Sequence, residues 1–171
     1  KRDYTAVFLA MKTLSEATFK PGTNGVQLDR IARAPIQAIG ADFGHGTGHG
    51  IGLTLNVHET PPSISPRERE GTLTPFEPGM VTSDEPGIYR PGEWGIRIEN
   101  MLVCVEKEDG MLGFETLTQC EIDRTLLMEN SLVGLCCSCL KQVGKDLNDI
   151  KASKMSRFFA GKLANYFLSY C

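Results

Sequence analysis

All three histidines of the chain, His45, His49 and His58, fall within fourteen residues. Histidine is both the commonest protein metal ligand and the side chain that moves protons near neutral pH. Two carboxylates further along have the settings that such chemistry needs. Glu85 stands directly before Pro86, and a proline extends the backbone of the preceding residue, which turns that side chain off a strand end. Glu99 closes the run Gly95-Ile96-Arg97-Ile98-Glu99, where Ile96 and Ile98 face one side of a strand and Arg97 and Glu99 the other. With Met101, Leu102 and Val103 following, this strand reads as interior, so its carboxylate needs a metal ion or a buried arginine as partner. The competing readings are a chance histidine cluster on a surface loop and an Arg97–Glu99 pair on a solvated sheet face.

The elements that must position these groups change character along the chain. Tyr4, Val7, Phe8, Met11 and Leu14 recur at helical spacing and predict a helix from about Asp3 to Phe19, ended by Pro21-Gly22. Asn24 with Gln27 three residues on reads as a capping box that opens a second helix through Leu28, Ile31 and Ala32, with Pro35 as its boundary or kink. From Gly44 to Gly52 every second residue is glycine, which suits a backbone pressed close to a ligand or metal. Residues Ile51 to Val57, Met80 to Glu85, Gly95 to Val105 and Leu112 to Leu117 read as strands, and the prolines between Thr60 and Pro78 as loop. Two helices followed by an antiparallel or mixed sheet make an α+β fold.

The chain has 171 residues, 41% hydrophobic and 23% charged, enough for one globular domain with an appendage and too apolar for wholesale disorder. No apolar run reaches the roughly 18–20 residues that a membrane-spanning helix needs. Residues 1–130 carry 12 basic and 19 acidic side chains, and residues 131–171 carry 6 and 2. No basic field therefore draws nucleic acid to the main body, and the basic residues of the tail read as the wet face of a helix. That helix is expected from about Ser153, with Met155, Phe158, Phe159, Leu163, Tyr166, Phe167 and Tyr170 on one stripe. Cys104 and Cys120 read as small buried hydrophobes, while Cys136 and Cys139 lack the further ligands of a zinc site, so reduced thiols in the cytoplasm are expected. The chain opens on Lys1 without a signal-peptide pattern and reads as a piece of something longer.

Four blocks in order carry a family resemblance: His45-Gly46-Thr47-Gly48-His49-Gly50-Ile51-Gly52, Asn56-Val57-His58-Glu59-Thr60-Pro61, Ser83-Asp84-Glu85-Pro86-Gly87-Ile88-Tyr89 and Gly95-Ile96-Arg97-Ile98-Glu99-Asn100. Together they resemble the Xaa-Pro aminopeptidase (aminopeptidase P) family of M24-type metallopeptidases, in its large cytosolic eukaryotic form, over residues 3–128. The resemblance implies the C-terminal part of a pita-bread domain at 1–130, a curved, mostly antiparallel sheet with flanking helices, followed by a divergent tail at 131–171.

Carried over residue by residue, the resemblance makes His49, Glu85 and Glu99 ligands of a site for two divalent metal ions, usually manganese. Glu85 also takes a proton. His45 and His58 bind substrate and stabilise its tetrahedral intermediate, and Arg97 orients the site carboxylates. The implied reaction removes the N-terminal residue of a peptide whose second residue is proline, in a cytoplasmic parent chain that is a homodimer. Two aspartate ligands of the family lie upstream of the matched region, so the 171-residue chain alone is expected to be inactive. The alternatives are a prolidase or other M24-type peptidase, and a non-catalytic pita-bread module that binds peptide or protein.

Overall fold

A computed structural model describes residues 1–54 and 56–128. The tail at 131–171, with its expected helix and the Cys136–Cys139 pair, lies outside the described residues. Helix α1 spans Arg2–Ser15 and buries Val7, Leu9, Ala10, Met11 and Leu14. It ends before the expected Phe19, because Thr18–Phe19 forms strand β1. Helix α2 spans Gly25–Gln37 and starts on the expected capping box. Asn24 Oδ1 accepts from the backbone N–H groups of Val26 and Gln27 at 3.1 and 3.2 Å, and Gln27 Oε1 accepts from the Asn24 N–H at 2.9 Å. This reciprocal cap satisfies donors that have no partner within the helix. The helix runs two residues past Pro35.

Strands β2 (Gly48–Gly50), β3 (Glu59–Ile64), β4 (Val81–Asp84), β7 (Asn100–Glu106) and β8 (Leu112–Thr116) join β1 in a six-stranded sheet of order β1-β8-β7-β4-β2-β3. Every pairing in it is antiparallel. A separate hairpin pairs β5 (Gly87–Arg90) with β6 (Trp94–Arg97), and a short helix α3 spans Glu70–Leu73.

Several strand boundaries depart from the sequence reading. Residues 51–54 and 56–58 form no strand, although their apolar residues alternate; Leu53 is almost fully exposed, at 99%. Conversely, part of the expected proline loop is strand β3. It lies at the sheet edge, where prolines cost no ladder hydrogen bonds on the open side. The expected Gly95–Val105 strand breaks at Ile98-Glu99 into β6 and β7, which belong to different sheets. Cys104 is buried as expected, whereas Cys120 is exposed.

Two apolar clusters tie these elements together. Leu14, Phe19, Leu28, Ile31, Phe76, Leu102 and Phe114 fill one, with Phe76 set edge-on to Phe114 at 5.6 Å between ring centroids. Val7, Met11, Ile36, Phe43, Ile88 and Ile98 fill the other, under the β5–β6 hairpin. The hairpin is also clamped to the start of α1. Arg90 Nε and Nη2 donate to the two Asp3 oxygens at 2.9 and 3.2 Å, and Trp94 Nε1 donates to Asp3 Oδ2 at 3.2 Å.

The Arg90 hydrogen bonds hold the Asp3 carboxyl below its ordinary value of 3.8, against the opposing effect of burial. A carboxyl depressed in the folded state contributes stability above its unfolded value and loses it as pH falls through the folded one. Asp3→Asn should therefore lower the thermal midpoint of the chain at pH 7 and leave it unchanged near pH 2. Melting curves of both proteins at the two pH values check this.

Candidate active site

The glycine run supplies a strand by close approach of backbones. A Cβ on Gly48 would lie 2.0 Å from the carbonyl oxygen of Ser83, and one on Gly50 would lie 2.2 Å from that of Glu59. The expectation of a backbone pressed against something is met, but these two glycines press against strands β4 and β3. Between them His49 is left half-buried on β2.

Five of the six sequence-predicted site residues line one cleft of about 340 Å³: His45, His49, His58, Glu85 and Arg97. The His49 Nδ1–H donates to the Gly50 carbonyl at 2.9 Å. Its Nε2 faces Glu85 Oε1 at 3.3 Å. Two electron-pair donors that face each other in this way call for a proton or a cation between them, and an Nδ1–H held by a backbone carbonyl is the usual support of a metal-ligating histidine. The same Oε1 accepts from Ser83 Oγ at 3.0 Å, and the other oxygen, Oε2, lies 3.3 Å from Arg97 Nη1. The His58 ring packs against His49 at a 51° tilt with ring centroids 4.2 Å apart and is exposed to solvent.

His45 is wired differently. Its Nδ1–H donates to the Gly46 carbonyl at 2.7 Å, which leaves Nε2 to accept the Tyr89 hydroxyl at 2.8 Å. The same Tyr89 oxygen accepts from Arg97 Nε at 2.9 Å. A continuous chain thus runs from His45 through Tyr89 and Arg97 to Glu85. Tyr89 and Ser83 stand in the motif blocks but were assigned no role from sequence. Their signal was positional: each lies on a strand flanking Glu85.

Glu99 does not join the cleft lining. It is exposed, at the break between β6 and β7, so the expectation of a buried carboxylate on an interior strand is corrected: β7 is interior to its sheet and Glu99 precedes it. Arg97 pairs with Glu85 rather than with Glu99. Among the described residues, no three His, Cys, Asp or Glu side chains converge on a point fit for a metal ion.

The residue that precedes Glu85 in the chain is set apart by its burial. Asp84 is wholly buried, and neither of its carboxylate oxygens has a hydrogen-bond partner. Burial raises its pKa well above the ordinary carboxylate range, and the negative charges of Glu85 and Glu99 add to the shift. Within the cleft the donors that face each other are the His49 lone pair and the Glu85 carboxylate, types that suit a hard divalent cation.

The sequence profile described as metallopeptidase family M24 matches residues 1–106. The chain belongs to this family. It is 44% identical over 141 residues to aminopeptidase P2 of Arabidopsis thaliana, covering 78% of this chain and 19% of that protein. A protein of Neosartorya fischeri named as a probable Xaa-Pro aminopeptidase P is 42% identical over 142 residues, 79% of this chain and 22% of that one. The chain thus spans about a fifth of the length of these curated relatives.

Among solved structures it is similar to an X-prolyl aminopeptidase of Caenorhabditis elegans, described as a cytosolic enzyme with a di-nuclear active site. The TM-score is 0.66 at 34% identity, over 93% of this chain and 28% of that one. A prolidase from Pyrococcus furiosus matches with a TM-score of 0.59 at 38% identity, over 70% of this chain and 32% of that one. The fold is accordingly of the pita-bread type, a mostly antiparallel sheet with few helices. Among the described residues no helix is long and apolar enough to cross a membrane.

The backbone approach at β2 generates a prediction. Gly48→Ala must push β2 from β4, and overpacking a fitted site costs about 1–3 kcal/mol. A lowered denaturation midpoint is expected, with faster hydrogen exchange at the Glu85 amide, which donates to Thr47 across this junction. Denaturant titration and exchange mass spectrometry check both.

Proposed function

We propose that the cleft is part of a metal-dependent aminopeptidase that removes the N-terminal residue from peptides with proline in second position. The observation that carries this reading is the His49–Glu85 pair, an imidazole lone pair aimed at a carboxylate oxygen at 3.3 Å with its other nitrogen tied to backbone. The aminopeptidase names of the relatives from Arabidopsis thaliana and Neosartorya fischeri support the substrate class, and the di-nuclear site described for the Caenorhabditis elegans structure supports two divalent ions. His49 and Glu85 would hold metal, with Glu99 as the third ligand from this chain; manganese fits a set dominated by oxygen donors. A cytoplasmic setting agrees with the description of the same neighbour as cytosolic, and a homodimeric parent chain is part of this proposal.

When bound, the two ions supply a hydroxide nucleophile at neutral pH and polarise the scissile carbonyl. The chain's own residues do the rest. Glu85 accepts a proton on the oxygen that faces the cleft, while Ser83 and Arg97 keep its carboxylate from rotating. His58, exposed at the cleft and touching the His49 ring, donates a hydrogen bond to the carbonyl oxygen as negative charge gathers there. His45, held by Tyr89, positions the bound peptide along the same wall. A preorganised donor such as His58 contributes on the order of 2.7–4 kcal/mol to the transition state.

The test uses Arg-Pro-Pro as substrate, with and without manganese. It compares the 171-residue chain with a chain extended upstream to carry the family's two aspartates. Manganese-dependent release of arginine is expected from the extended chain alone. His49→Ala and Glu99→Ala should abolish both metal retention and release, whereas His58→Ala should keep the metal and slow turnover by about 10²–10³-fold. An extended chain that retains two manganese ions and leaves Arg-Pro-Pro intact would overturn the reading. The similarity to a solved prolidase favours a second reading, and cleavage of Xaa-Pro dipeptides in preference to the tripeptide would select it.

A further inference from the structure

Helix α2 carries a buried ion pair that the cleft residues do not include. Arg33 is 4% exposed and Asp29 wholly buried, and the Arg33 Nε donates to Asp29 Oδ2 at 2.7 Å. An isolated pair of this kind returns little stability, because both ions must leave water. Here every remaining arm of the pair reaches into the segment between the second helix and β2. Arg33 Nη1 donates to Asp42 Oδ1 and to the Phe43 carbonyl, and Nη2 donates to the His45 carbonyl, each at 2.7 Å. The guanidinium carbon lies 3.8 Å from the centre of the Phe43 ring, and that ring packs 4.8 Å from the His45 imidazole.

The Asp29 side reaches the other half of the cleft. Its Oδ1 accepts the hydroxyl of Thr47, a wholly buried side chain, at 2.6 Å. Thr47 stands midway between His45 and His49. Its carbonyl accepts the backbone N–H of Glu85 at 2.8 Å, and its own N–H donates to the Ile64 carbonyl at 2.8 Å. One buried pair on one helix thus holds the backbone on which both His45 and Glu85 are mounted.

We propose that Asp29 and Arg33, acting through Thr47, are positioning residues for the cleft: Arg33 sets the segment that bears His45, and the Asp29–Thr47 hydrogen bond sets the backbone of Glu85. The catalytic meaning of this device rests on the peptidase reading, but the geometry does not. A charged pair suits the task better than apolar packing, because five short hydrogen bonds fix direction as well as distance. Neither residue touches substrate.

The test reads geometry separately from activity. The chain has only three histidines, so the imidazole resonances of labelled protein report on His45, His49 and His58 one by one. Thr47→Val removes the hydroxyl and leaves the Asp29–Arg33 pair intact. It should displace the His45 and His49 resonances, and Thr47→Ser, which restores the hydroxyl, should return them to their wild-type positions. Asp42→Asn loosens one arm of Arg33 at a half-exposed site and should move His45 alone, which keeps the question open to measurement even if Thr47→Val does not fold. In the extended chain Thr47→Val should lower kcat roughly 10–100-fold, the range for supporting hydrogen bonds around a metal site, with KM little changed and rescue by Thr47→Ser. Unmoved histidine resonances in both Thr47→Val and Asp42→Asn, or a Thr47→Ser spectrum that stays with the valine variant, would overturn the proposal. An extended wild-type chain without peptidase activity would count against the functional reading only, since the resonances judge the positioning without it.

Discussion

Strand β2 is only three residues long, yet it alone joins the edge strand β3 to the other four strands of the sheet. Its neighbours lie close enough to demand glycine at both Gly48 and Gly50. Close approach has a second consequence. His49, between two residues without side chains, lines the cleft, and its amide is anchored on the Ser83 hydroxyl. That same hydroxyl donates to Glu85. One serine on β4 thereby links the position of the imidazole to that of the carboxylate facing it, and the β2–β4 junction sets the distance between them.

Around that junction the electrostatics are unbalanced by construction. Glu85 shares Arg97, but Asp84 has no partner at all and Glu99 stands in solvent. Elsewhere among the described residues buried charges are paired: Arg33 satisfies Asp29 and two backbone carbonyls, and Arg90 satisfies Asp3. Among the described residues Asp84 is the buried carboxylate left without a hydrogen-bond partner, and burial without compensation favours its neutral form.

Much of the cleft was legible before any fold was known. Three histidines, Glu85 before Pro86, and Arg97 on an alternating strand were each visible as residue types in suitable local settings, and all five line the cleft. The helices were legible for the same reason: capping at Asn24 and the apolar spacing of α1 are encoded within a few residues. Strand β3 was not, because prolines argue against a strand until its place at the edge of the sheet is known. The alternation after Ile51 misled in the opposite direction, since an alternating pattern makes a strand only where a neighbour offers its hydrogen bonds, and residues 51–54 and 56–58 have none to form one.

The sequence by itself determined the chemistry of the site and the local elements that carry it, because side-chain type, helix capping and family motifs are properties of short contiguous stretches. Tertiary structure decided which charges meet in the cleft. Arg97 lies two residues from Glu99 but pairs with Glu85 across the hairpin, and Tyr89 bridges His45 to Arg97 from forty-four residues away in the chain. Contacts of that kind depend on strand register and on where the backbone breaks at Ile98-Glu99. Both are settled by the packing of two sheets and two helices around a shared core, and neither is written in any local pattern.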